Sequence, residues 1–231
     1  MIGIIGAMAL EIDALAERMQ IRERIRAGQD DFRVGKLFGQ EAVLADCGPG
    51  KVNAALTAQQ MILRWQPEWI LNIGVAGSAD PDLRVGDIVV ATDAVQHDMD
   101  TTGLGDPAGY VSKVGLVAFP CDDKLRRRLV RAASQLQDVR VVEGVIATGD
   151  QFVNDAAVAR RLREQFGAAA VEMEGAAIAH ACYVHRVPCG ILRSISDGAN
   201  QDSGMDFADF AAAAAAHAQR VVELLLTEGS V

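Results

Sequence analysis

Aromatic residues make up only 5% of the 231-residue chain, and there are six prolines and four cysteines. The prolines and glycines are scattered, so no linker rich in Pro, Gly or Ser divides the chain, and a single domain spanning residues 1–231 is expected. Cys47, Cys121, Cys182 and Cys189 contain no CxxC pair and no compact disulfide framework. They read as reduced core thiols of a cytoplasmic protein. Positive charge is also short: 22 Lys and Arg against 31 Asp and Glu leave a net charge of −9. That field repels phosphate backbones, so no nucleic-acid partner is expected, although one local pocket could still take a nucleoside. No apolar run approaches the ~20 residues of a spanning helix. The start, Met1-Ile2-Gly3-Ile4-Ile5-Gly6, lacks a basic leader and is soon followed by Glu11 and Asp13. A signal peptide and a membrane partner are therefore not expected.

What is present is a globular composition, 50% apolar and 23% charged. Short apolar runs alternate with longer helical patterns. The spacing predicts strands over residues 2–5, 42–46, 69–73, 88–94, 141–147, 169–173 and 190–195. It predicts helices over 9–19, 51–64, 122–136, 155–165, 174–185 and 207–226, the last with six consecutive alanines. The expected fold class is α/β, a single domain with a mixed, mostly parallel β-sheet flanked by helices. Residues 96–120 form the one long irregular stretch, and a loop of that length usually serves function or an interface.

Parallel α/β sheets bind ligands beyond the carboxyl ends of their strands, so chemistry is expected in the residues just after each strand. Gly3-Ile4-Ile5-Gly6-Ala7-Met8 is not GxGxxG. Gly48-Pro49-Gly50-Lys51-Val52 fails as a phosphate loop, because Val52 stands where a magnesium-binding hydroxyl is needed. No GxSxG or HExxH occurs, and the polar turn His97-Asp98-Met99-Asp100 reads better as a turn than as a metal site. No metal or cofactor is expected. Three carboxylates stand at or just beyond strand ends: Glu11, Glu174 and Asp197. Each has a purely structural alternative. Glu11 could be a surface acid favoured by a helix dipole. Glu174, inside an apolar stretch with Glu172, could pair with a buried arginine such as Arg193. Asp197 could cap the turn after its strand.

The residues around these acids also form an ordered series: Gly3-Ile4-Ile5-Gly6-Ala7-Met8 with Glu11, Gly50-Lys51-Val52-Asn53-Ala54-Ala55, Asn72-Ile73-Gly74-Val75-Ala76-Gly77, Val85-Gly86-Asp87-Ile88-Val89, Thr148-Gly149-Asp150-Gln151-Phe152, Val171-Glu172-Met173-Glu174-Gly175 and Arg193-Ser194-Ile195-Ser196-Asp197. From residue 2 to about 226 this series resembles the 5′-methylthioadenosine/S-adenosylhomocysteine nucleosidases of the purine nucleoside phosphorylase superfamily. The resemblance implies a nucleoside phosphorylase/hydrolase-like fold and hydrolysis of an N-ribosidic bond, releasing adenine and a 5-thioribose. It implies that Asp197 donates a proton to adenine N7, Glu174 accepts hydrogen bonds from ribose hydroxyls beside Met173, and Glu11 takes the proton of the attacking water. By the same resemblance Phe152 stacks on adenine, the backbone of Val153 meets its Watson–Crick edge, and Met8, Pro49 and Phe207 line a slot for the 5′-alkylthio group. Val75 stands where some members carry serine, leaving Ser196 or the backbone to hydrogen-bond the acid, and Pro49 replaces a common isoleucine. The family pattern further implies a homodimer in which a loop near Leu104 reaches the partner's pocket. Alternatives are an aminofutalosine-type nucleosidase, a purine nucleoside phosphorylase of the same fold, and a non-catalytic purine-nucleoside sensor. A carboxylate at Glu11 would repel phosphate and favours water as the nucleophile.

Overall fold

Runs such as Ile2-Gly3-Ile4-Ile5 are buried on both faces, a state reached by interior strands covered above and below. The computed structural model describes residues 1–199 and 203–228. In chain order the elements are β1 (Ile2–Gly6), α1 (Ala9–Glu17), β2 (Met19–Ala27), β3 (Asp30–Leu37), β4 (Gln40–Asp46), α2 (Lys51–Trp65), β5 (Ile70–Ser78), β6 (Ile88–Gln96), β7 (Ala118–Pro120), α3 (Asp123–Ala133), β8 (Val141–Thr148), α4 (Ala156–Phe166), β9 (Ala168–Glu172), α5 (Gly175–His185), β10 (Cys189–Asp197) and α6 (Ser203–Thr227).

Successive residues of the inner strands face opposite layers. Ile5 and Val43 meet Ala54, Ala58 and Met61 of α2 in a core that also includes Ala176 and Ile178 of α5. Ile4, Leu44 and Leu71 belong instead to the core of Ile12 and Leu15 of α1, Leu125 and Leu129 of α3, and Val221, Val222 and Leu225 of α6. The fold is thus α/β with helices on both faces of one mixed sheet. The four cysteines are free and buried. Among the described residues, no helix is long and apolar enough to cross a membrane.

β5 sets the topology. Its first half lies between two parallel neighbours: Gly3 to Ile5 of β1 pair with Ile70 to Asn72 on one side, and β10 runs along the other from Cys189 to Asp197. Beyond Asn72 the β1 partner is gone, and only at Gly77 and Ser78 does β9 arrive, antiparallel, through Val171 and Ala170. The sheet therefore forks. One arm, β5-β9-β8-β6-β10, returns to β5 and closes on itself, while the other, β1-β4-β3-β2, ends in an open edge. Ligands in open α/β sheets bind where neighbouring strands part company, and the gap between β1 and β9 is such a place.

The predicted helix over 9–19 ends at Glu17, because Met19 already begins β2, and the one over 122–136 ends at Ala133. The β2–β3 hairpin is additional to the predicted strands. Its outer strand is mostly exposed and charged, and a bulge between Ile21 and Glu23 shifts its alternation, which hides the period of two. The 96–120 stretch is partly structured, with a 3-10 turn at Thr102–Leu104, a Val111–Leu116 bridge and β7 paired to β6.

Candidate active site

Three chain segments bring acids to the fork. α1 starts directly after β1, so Glu11 in its first turn points back into the gap. It is 3% exposed, which removes the surface-acid alternative. Its Oε2 accepts the Ala7 and Met8 amides at 2.7 and 3.0 Å, and its Oε1 accepts the Val75 amide at 2.9 Å. The Val75 N–H is available because, on the side away from β10, neither β1 nor β9 pairs with β5 there. Gly74 makes room: a Cβ on it would come within 2.5 Å of Glu11 Oε1. Burial raises the Glu11 pKa, and the Arg193 charge and the three amides offset this only in part.

β9 ends and α5 begins within three residues, which places Glu172 and Glu174 side by side with different surroundings. Glu174 accepts the Gly50 amide at 2.9 Å. Burial, followed by the negative charge of Glu172, pushes its pKa up to about 8, against the pull of Arg193. Glu172 is saturated with donors: the Thr148 hydroxyl, the Glu174 and Gly175 amides, and the Arg193 guanidinium. Arg193, buried on β10, also donates to the Asn72 side chain and the Leu192 carbonyl. The structural pairing considered for Glu174 is therefore corrected: Arg193 bonds Glu172. Glu174 is left facing the cavity, with Arg193 acting on it through charge.

Asp197 closes β10. Its Oδ2 accepts the Ser196 hydroxyl and its Oδ1 the Ala199 amide, each at 2.9 Å. It thus caps the turn, as the structural alternative held, while also lining the cavity. The two donors are a hydroxyl from Ser196 and a backbone amide, as anticipated with valine at position 75. Gly77 lies opposite, where a Cβ would be 2.9 Å from Asp197 Oδ1.

All three acids line one cavity of about 440 Å³, together with Met8, Pro49, Val75, Met173, Ser196 and Phe207. Phe152 is half exposed at its rim and meets Phe207 edge to face at 6.0 Å between centroids, so the two rings together form an aromatic wall of the cavity. Val153 lines a smaller recess behind Phe152, next to Gly77 and Asp197. Leu104 does not line the cavity and is 84% exposed. Glu172, Asn72 and Arg193 are the site's supporting residues that sequence reasoning missed or misassigned; the signal was three polar side chains inside otherwise apolar strands. Among the described residues, no group of His, Cys, Asp and Glu is arranged to hold a metal ion. A larger groove of about 1060 Å³, bordered by Cys121, His180, Tyr183 and Arg186, contains none of the three acids.

The arrangement offers a carboxyl anchored by amides, a second carboxyl that stays protonated near neutral pH, and an acid in a cavity with an aromatic wall. These groups suit acid–base cleavage of a bond between a planar ring and a polar moiety. A sequence profile of the phosphorylase superfamily matches residues 1–227. A 5′-methylthioadenosine/S-adenosylhomocysteine nucleosidase from Anoxybacillus flavithermus is 39% identical over 229 residues, 98% of each chain. The structure of the nucleosidase of that name from Neisseria meningitidis, in complex with methylthio-immucillin-A, superposes with a TM-score of 0.94 at 34% identity over 98% of each chain. A futalosine hydrolase mutant from Helicobacter pylori superposes with a TM-score of 0.93 at 36% identity, again over 98% of each chain. The extent and level of these matches establish that the chain belongs to the phosphorylase superfamily and, within it, to the family of 5′-methylthioadenosine/S-adenosylhomocysteine nucleosidases.

Proposed function

We propose that the protein hydrolyses the N-ribosidic bond of 5′-methylthioadenosine and S-adenosylhomocysteine, giving adenine and the 5-thioribose. The observation that carries this reading is the convergence of Glu11, Glu174 and Asp197 on one cavity with an aromatic wall. Adenine stacks on Phe152, its N7 toward Asp197 and its Watson–Crick edge toward the backbone of Val153. Glu174 binds the ribose hydroxyls beside Met173. As the C1′–N9 bond breaks, its electrons pass to the base, and Asp197 donates a proton to N7. Water adds at C1′ and gives its proton to Glu11, whose raised pKa suits a base that must hold that proton. The sugar carries positive charge in the transition state, which the Glu11 carboxylate stabilises. Met8, Pro49 and Phe207 receive the 5′-alkylthio group. Phosphate is a poor nucleophile here, because the Glu11 carboxylate repels it and Arg193 is already bonded to Glu172.

A second reading, hydrolysis of an aminofutalosine-type nucleoside, is favoured by the match to the futalosine hydrolase. Assembly as a homodimer is part of the proposal. Val52 and Leu56 of α2 and Val184 of α5 are apolar, exposed and border one groove, the kind of patch that a second copy covers. Leu104 then lies free to reach the partner's pocket. Four buried free thiols suit a reducing, cytoplasmic setting.

The test is release of the free base, with and without phosphate: adenine from methylthioadenosine, adenosylhomocysteine, aminofutalosine and adenosine, and hypoxanthine from inosine. Phosphate-independent release from the two thio-nucleosides is expected. Release only with phosphate, yielding ribose 1-phosphate, would move the protein to the phosphorylases, and no release from any of them would support a non-catalytic sensor. Light scattering showing a fully active monomer of 24.5 kDa would remove the dimer.

A further inference from the structure

Glu174 reaches the cavity from the start of α5, but the hydrogen bond that holds its carboxyl comes from Gly50, at the start of α2. Gly50 has φ of 101°, a backbone conformation that glycine adopts readily. What fixes it lies one residue on. The Lys51 amide donates to Asp150 Oδ1 at 2.8 Å, the Asp150 amide donates to Asp98 Oδ2 at 2.9 Å, and Asp98 Oδ1 accepts the Lys51 ammonium at 2.6 Å. These bonds form a closed circuit through three loops, following β4, β6 and β8. The Lys51 and Asp98 side chains are partly withdrawn from solvent, 17% and 22% exposed, at a ring that otherwise borders the surface. Burial alone would raise the Asp98 pKa, yet the Lys51 ammonium and the Asp150 amide hold it below its ordinary value.

We infer that Lys51, Asp98 and Asp150 are positioning residues whose closed ring aims the Gly50 amide at Glu174 and locks the loop bearing Phe152 to the loop bearing Pro49. The reasoning is geometric. Gly50 and Lys51 present consecutive amides at the N-terminal end of α2, and two carboxylates from different parts of the sheet each take one. Displacement of Asp150 releases the Lys51 amide, and the Gly50 peptide is then free to rotate away from Glu174. Asp150 cannot move far while Asp98 holds its amide, and Asp98 is held by Lys51. Asp150 also lies two residues before Phe152, so the same ring sets the base-side wall and the ribose-side carboxyl in one register. Reactions limited by placement lose rate when a carboxyl shifts by even an ångström.

The kinetic part of this inference rests on the nucleosidase reading, so the test has an arm that does not. In the ligand-free protein, hydrogen exchange is compared for the parent, Lys51→Met, Lys51→Arg, Asp98→Asn and the Lys51→Met/Asp98→Asn double variant. Lys51→Met should speed exchange in residues 47–55 and 149–154 and leave β1 and β5 as in the parent. Unchanged exchange in those two loops overturns the ring, whether or not the protein is a nucleosidase. Methylthioadenosine hydrolysis is measured alongside, and a parent without that activity refutes the nucleosidase reading while the exchange result still judges the ring. In an active parent, Lys51→Met and Asp98→Asn should each lower kcat/KM about tenfold, the order expected for one charge-assisted hydrogen bond. The loss should fall on kcat, since contacts to the ribose hydroxyls strengthen in the transition state. The double variant should be no worse than the poorer single, and Lys51→Arg should recover most of the rate. Values within twofold of the parent in both single variants, losses that multiply in the double, or a fall in melting temperature with kcat intact would reduce the ring to ordinary structure.

Discussion

Charge is handled in opposite ways at the two ends of the forked sheet. On the open arm, the β2–β3 hairpin and its surroundings pair side chain with side chain at the surface: Arg22 with Glu41 at 3.0 Å, Arg24 with Asp31 at 3.5 Å, and Arg33 with Asp13 and Asp46 at 3.5 Å. Most of these partners are well exposed, and water screens them. At the fork, Glu11, Glu172 and Glu174 are buried around one guanidinium, and their oxygens are met mostly by backbone amides. Amides do not relax away when a charge changes, so clustered acids give a labile surface in one place and a preorganised site in the other. The lesson is that the kind of donor, and not the density of charge, separates the two regions.

The comparison can be broken at several points. The largest effect is expected from Asp197→Asn, which retains the shape and the turn-capping acceptor but has no proton to give. Turnover of methylthioadenosine should fall by about 10²–10⁴, equivalent to ~3–5 kcal/mol of barrier, with substrate binding largely kept. Steady-state kinetics retaining more than about a tenth of parent turnover would leave Asp197 with its capping role alone. Next comes Arg193→Met. Stranding Glu172 and its neighbours without their cation should cost about 3–5 kcal/mol in urea unfolding. Adding Glu172→Gln to that variant should recover part of the loss, because fewer buried charges remain unpaired.

Glu174→Gln sharpens the contrast through pH. In the folded protein this carboxyl keeps its proton up to about pH 8, whereas the unfolded chain releases it near 4.5. Stability from Glu174 is therefore complete below about 4.5, declines as pH rises through that window, and is gone above about 8. Glutamine stays neutral throughout. Thermal unfolding of the ligand-free variant should match the parent near pH 4.5, then gain on it progressively until about pH 8 and hold that advantage above. A constant difference across the range would contradict the raised pKa. The smallest effect belongs to the open arm, where Arg22→Ala should change unfolding free energy by less than about 0.5 kcal/mol. A loss of several times that size would erase the distinction between the two ends.

The inner strands were legible in sequence because burial on both faces forces uninterrupted aliphatic runs, as at Ile70 to Ile73 and Ile88 to Val90. The hairpin was not, since Arg22, Glu23 and Arg24 look like solvated loop until Phe32 and Val34 are seen to fill one face. Glu11, Glu174 and Asp197 were legible as acids at strand ends. Their partners were not, because the register that gives Arg193 to Glu172 and the Val75 amide to Glu11 is a property of the fork, assembled from segments far apart in the chain. Leu104 is 84% exposed and lies away from the cavity, and nothing in its local sequence marks it; only the family pattern does.

The way β5 trades β1 for β9 has a consequence for how the protein comes into being. During synthesis β1, α1 and β5 emerge early, yet the strands that complete the fork, β9 and β10, are made last but for α6. Until they arrive, Glu11 has no Arg193, and the strand that should bear Asp197 does not exist. Long-range closures of this kind are slow steps, because the intervening chain must be gathered before any contact repays it. No early folding unit can then bind or cleave a nucleoside, so appearance of activity reports completion of the whole sheet, and a ligand for this site acts on the finished fold by mass action alone.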